Sequence, residues 1–131
     1  MVKTVTTFGL LCQVCGLSHR EAADLFDVRL NTAQRWCTGR MRAPDGVLQE
    51  LVELSLQIDM AADEAVGLME RVAEEAQSMP QAIELSLVKT DSEARQLGWP
   101  CAGVVRAVAA LTVARGMAEG YEFALGDDQL R

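Results

Sequence analysis

One stretch, Leu17 to Pro44 (LSHREAADLFDVRLNTAQRWCTGRMRAP), restricts the fold of this chain more than any other. It carries start and stop signals for two short helices with only a few residues between them. The Ser18 hydroxyl can accept an N–H of a first helical turn. Glu21, three residues on, can reach back to the Ser18 N–H and complete a capping box. Ala22, Ala23 and Phe26 then share one face at helical spacing, with Leu25 beside them. Asp27 and Val28 break the period: Asp tolerates turn conformations, and Val28 supplies an apolar plug. A second helix is predicted from about Leu30 to Thr38, with Ala33 and Trp36 inward and Asn31, Thr32, Gln34 and Arg35 outward. Gly39 ends it as a C′ glycine does. Small residues at Ala23 and Ala33 allow two helices to cross closely over a short turn. That is the arrangement whose second helix can enter a DNA major groove.

The net charge of −7 speaks against a nucleic-acid partner until its distribution is read. Residues 1–44 hold six basic groups against three acids, a balance of +3, and the remainder six against sixteen, or −10. A basic reading head on an acidic body has this pattern. With 131 residues, half of them apolar, the chain can build one domain or two small ones. No apolar run approaches bilayer length, and the N-terminus has no apolar signal region, so a cytoplasmic protein without membrane contact is expected.

Before the paired helices, a first helix is predicted over about Val5 to Cys15, capped by Thr4 or Thr6 and stopped by Gly16. After them Pro44 and Asp45 open a long pattern. Leu48, Leu51, Ser55, Ile58, Ala62, Ala65, Met69, Val72 and Ala76 recur at spacings of three and four, which reads as one long helix or two nearly collinear ones. Ile83, Leu85 and Leu87 alternate with polar residues as a strand does. A short helix to Leu97, a longer one from about Cys101 to Met117 and a final strand in YEFAL complete a β-α-α-β unit. The expected fold is mainly α with a small α+β C-terminal part. Residues 1–58 form a helix-turn-helix DNA-binding domain, and residues 59–131 the long helix plus a dimerisation unit. Two strands alone are marginal, and pairing across a twofold axis enlarges the sheet.

The paired-helix segment resembles the helix-turn-helix of Cro/phage-repressor-type (XRE-like) transcriptional regulators over roughly residues 5–60. The string RWCTGRMRAPDGV is similar to small anti-CRISPR-associated repressors. The resemblance implies double-stranded DNA as partner, a homodimer, and no cofactor. Arg35 suits a bidentate fork to guanine, Asn31 an adenine edge, Thr32 a thymine methyl, and Gln34 is the next candidate. By the resemblance His19 contacts a phosphate or outer base, and Arg20, Arg29, Arg40 and Arg42 contact phosphates, which position without reading sequence. A merely solvated helix face carries similar residues. The coincidence of cap, turn, small-residue spacing and basic flanks favours DNA.

Cys12 and Cys37 occupy places where this family commonly carries an Arg and a Glu paired between helices one and three. The resemblance therefore makes them neighbours: either an inert apolar substitute for an ion pair, or a candidate redox pair. Cys12 and Cys15 form a CxxC without a second one, so a zinc ribbon is not expected, and a site from Cys12, Cys15, His19 and Cys37 is a remoter version. The reading is a homodimeric repressor of the phage or mobile-element kind on an inverted-repeat operator. The rival is an antitoxin-type protein whose acidic C-terminal half holds a partner protein. One histidine, no Ser/His/Asp set and no Gly-rich phosphate loop argue against an enzyme.

Overall fold

The structure, a computed structural model, describes residues 6–125; Lys3, Thr4 and Val5 lie outside the described residues. Thr6 opens helix α1 (Thr7–Cys15), its hydroxyl accepting the Gly9 N–H at 3.0 Å. Gly16, left-handed at φ 73°, closes it. Helix α2 (His19–Leu25) starts with the capping box in place: the Ser18 hydroxyl accepts the Glu21 N–H at 3.1 Å, and the Glu21 carboxylate accepts the Ser18 N–H at 3.0 Å. Asp27 takes a left-handed φ of 53° in the turn, which its short polar side chain tolerates. Helix α3 (Leu30–Thr38) follows and stops at Gly39, φ 85°. Phe8, Phe26 and Trp36, one from each side of this three-helix group, meet as a ring cluster. Phe8 and Trp36 pack edge-on with centroids 5.2 Å apart.

Helix α4 (Asp45–Ala76) is a single 32-residue helix, about 48 Å long at 1.5 Å per residue. Its buried row is Leu51, Leu54, Ile58, Ala62 and Val66. The expected stripe is corrected here: Leu54 and Val66 are buried where Ser55, Ala65 and Met69 were placed, and Val72 and Ala76 are exposed. The row advances mainly by fours because it follows the line along which the last helix lies, whereas alternating threes and fours keep a straight face. Beyond it come β1 (Ile83–Leu85), α5 (Asp91–Gln96), α6 (Ala102–Ala118) and β2 (Phe123–Leu125). The two strands pair in parallel, Ile83 opposite Phe123 and Glu84 opposite Ala124. The fold is thus mainly α with a small two-stranded parallel sheet. Arg115 of α6 clamps onto α4, with one guanidinium nitrogen on the Asp59 carboxylate and the other 2.8 Å from Asp63 and 3.0 Å from the Asp59 carbonyl.

One apolar core unites Phe8, Cys12, Cys15, Trp36 and Leu51 with Cys101 and Val104. Its tightest point is backbone against backbone. A Cβ built on Gly16 would sit 2.3 Å from the Gly103 carbonyl oxygen, and one built on Gly103 would sit 2.2 Å from that of Gly16. The first turn of α6 is capped from outside itself: Gly103 N–H donates to Glu21 at 3.0 Å, and Ala102 N–H to Asp91 at 2.9 Å. Two carboxylates at a helix N-terminus match its partial positive charge.

Glycine to alanine inside a helix ordinarily stabilises by up to about 1 kcal/mol. Gly67→Ala, with only the end of Arg71 near its Cβ position, should do so. Gly103→Ala should reverse the sign and destabilise by about 1–3 kcal/mol through overpacking against immovable backbone. Urea unfolding of the two variants checks the pair.

Candidate nucleic-acid interface

At about 100° per residue, Gln34, Thr38, Asn31 and Arg35 fall within about 100° of one another around α3, opposite the buried Ala33. All four are exposed. Thr32 falls at the border between this arc and the core and is half-buried, so of the residues expected to face outward it is the least accessible. Thr38, which sequence reasoning passed over, shares the arc, but its hydroxyl turns back to the Arg35 carbonyl at 3.3 Å. Only its place on the helix wheel could have revealed it.

His19 and Arg20 occupy the first turn of α2, exposed, and Arg29 is the residue at which α3 begins. Arg40 and Arg42 lie in the connector after Gly39, also exposed. Arg20, Arg29, Arg35 and Arg40 make no ion pair among the described residues. Arg42 lies 3.3 Å from Asp45, with both side chains more than four-fifths exposed. Such a surface pair holds its arginine weakly. The arginines of the segment therefore remain available to an external anion.

What aims the arc is the seating of α3. Trp36 is 5% exposed in the ring cluster, and Ala33 is fully buried. The Thr6 hydroxyl shares its proton between the Trp36 and Cys37 carbonyls at 2.9 and 3.0 Å. These are two of the carbonyls the last turn of α3 leaves without intrahelical partners. The sequence offers Thr4 or Thr6 as the cap of α1, but nothing local signals this second bond, which joins residues thirty apart. Glu21 shows the same pattern: its role in the α2 cap is readable, its hold on α6 is not.

Burial pushes the Glu21 carboxyl up. The Ser18 and Gly103 N–H groups, the Cys101 thiol and the Ser18 hydroxyl outweigh that effect, and its pKa lies below the usual 4.5. All four cysteines are free. Burial, aided by the charges Cys37 and Cys15 would carry, pushes the Cys12 thiol up to about 12. Burial alone raises Cys15 to about 11, and burial, with Glu21 adding to it, raises Cys101 to about 11. Burial also raises Cys37, which is half-buried. Neither Cys12 nor Cys37 sits in a setting that generates a thiolate, the reactive form. Among the described residues no group of three or more His, Cys, Asp or Glu side chains could hold a metal ion. No helix among them is long and apolar enough to cross a membrane.

Two outcomes are expected. A carboxyl whose folded pKa is lowered stabilises fully above its unfolded pKa, and that contribution is lost as pH falls through the lowered value. The gap in stability between the native chain and Glu21→Gln should therefore be widest above pH 4.5 and close on acidification below it, measured by denaturation across pH. In native protein Cys12, Cys15 and Cys101 should resist iodoacetamide at pH 7 and react only on unfolding, with Cys37 first to be modified, as peptide mass mapping reads. The chain matches no protein-family model, and no curated protein is significantly similar to it.

Proposed function

We propose that the chain is a sequence-specific DNA-binding transcriptional regulator in which α2, the turn and α3 act as a helix-turn-helix. The observation that carries this reading is the exposed polar arc of α3, Asn31, Gln34 and Arg35, seated on a buried tryptophan and flanked by arginines without strong internal partners. In this reading Arg35 forks onto guanine O6 and N7, Asn31 pairs with an adenine edge, and Thr32 and Gln34 contact the neighbouring bases. His19 and Arg20 at the start of α2, Arg29 before α3, and Arg40 and Arg42 after it meet the phosphates on either side and set the register.

The regulator acts as a homodimer, one α3 per half-site of an inverted repeat, with half-sites about 34 Å apart or a multiple of that. The β1-α5-α6-β2 unit supports self-association because its two-stranded sheet leaves both outer edges without a partner among the described residues. Such edges invite pairing with another chain. Occupying a promoter then represses transcription sterically. Control by a Cys12–Cys37 disulfide is the weaker alternative, since both thiols titrate above their ordinary range.

Selection from random duplex DNA tests the reading. The native chain should enrich a defined palindromic site. Arg35→Ala should lose preference at one position per half-site, about 1–3 kcal/mol of discrimination. Arg42→Ala should weaken binding to all duplexes alike and reduce the salt slope by about 1. A native chain that enriches no sequence, or an Arg35→Ala profile identical to it, removes the assignment.

A further inference from the structure

Helix α4 has two characters. One side is the buried row already described. On the other, Val52, Leu56 and Met60 follow one another at four-residue steps and are 42%, 57% and 61% exposed. Each step of four advances about 40° around the helix, so the three side chains cover an arc of about 80°. Isolated exposed apolar residues are ordinary; three large ones aligned on one helix face are a patch.

The charge of the helix selects what can cover that patch. Across its 32 residues α4 carries nine carboxylates and a single basic residue, Arg71. Glu53 and Glu64 lie about 20–40° past Met60 along one border of the arc, both exposed and without an ion pair among the described residues. Asp63 falls inside the arc, about 20° from Val52, and Asp59 about 20° outside it toward the buried row; both are already held by Arg115 of α6. A second copy packed through this same face would bring an equally acidic helix against it. Like charges brought together this way cost affinity and suppress the pairing. DNA is repelled by the same carboxylates.

We propose that the Val52–Leu56–Met60 face of α4 docks a basic, apolar-striped helix belonging to a different protein. Burial of the three side chains supplies the attraction, and Lys or Arg of the partner on Glu53 and Glu64 sets the register. The face is separate from the arc of α3, so a partner held there leaves the candidate DNA contacts unused. The proposal does not rest on the DNA reading.

The test uses the full chain and a fluorescent 18-residue amphipathic helix of Leu and Lys, with a Leu/Glu peptide of the same pattern as its counterpart, read by anisotropy. The Leu/Lys peptide should bind and the Leu/Glu peptide should not. Leu56→Gln with Met60→Gln, and separately Glu53→Gln with Glu64→Gln, should each weaken binding at least tenfold. Sedimentation of the Leu56→Gln/Met60→Gln chain should give the native mass. Peptide binding that ignores Leu56→Gln/Met60→Gln reduces the effect to diffuse charge attraction and overturns the proposal. A fall in sedimenting mass of that variant also overturns it, since a second copy would then be the occupant.

Discussion

Backbone meeting backbone at Gly16 and Gly103 is the contact on which the arrangement of this molecule rests. No side chain stands between the end of α1 and the start of α6, so the approach is closer than any other residue would allow. Glu21 then uses the proximity. Its two carboxylate oxygens accept N–H groups from Ser18 and Gly103, residues more than eighty positions apart, so one side chain caps two helices. The Gly103 bond is partly buried, so removing it leaves a shielded donor unsatisfied, at a cost beyond the bond itself. The α2–α3 pair is thereby referenced to the C-terminal half as well as to its own neighbours.

A second set of contacts holds α3. Three aromatic rings supply a rigid apolar seat beneath it, and Thr6 ties its last turn to the start of α1. Seating of this kind matters for any surface that must meet a partner with defined geometry, because rotamers locked by packing leave the outward side chains little to reorganise. The cysteines belong to the same seat. Cys12 and Cys15 lie in the core and Cys37 at its margin, where apolar surroundings suppress ionisation, so they pack as small apolar groups.

Charge divides the chain along different lines from the core. The core runs unbroken from Phe8 to Val104, yet exposed arginine concentrates around α2, α3 and the connector, while α4 holds nine carboxylates. The two surfaces therefore repel charges of opposite sign. Where α4 and α6 pack, Arg115 of α6 sets its positive charge against Asp59 and Asp63 of this acidic helix.

Local chemistry explains which features could be read in advance. Ser18 and Glu21 as a capping box, Gly16 and Gly39 as helix stops, Asp27 in the turn, and the alternation of Ile83, Leu85 and Leu87, of which the strand uses Ile83–Leu85, all depend on residues within a few positions of one another. The outward setting of Asn31, Gln34 and Arg35 follows from helical period alone. Other features need partners distant in the chain, and no periodicity encodes those. Thr32 proved half-buried because the packing of α3 set the width of its exposed arc. Leu54 and Val66 displaced Ser55, Ala65 and Met69 because the line of α6 chose which row of α4 is covered. Gly103 reads as a mere weak point in a helix until Gly16 is placed against it, and Glu21 reads as a local cap until the first turn of α6 arrives. Short-range hydrogen bonding is written in neighbouring residues; which surfaces come together depends on the packing of the whole chain.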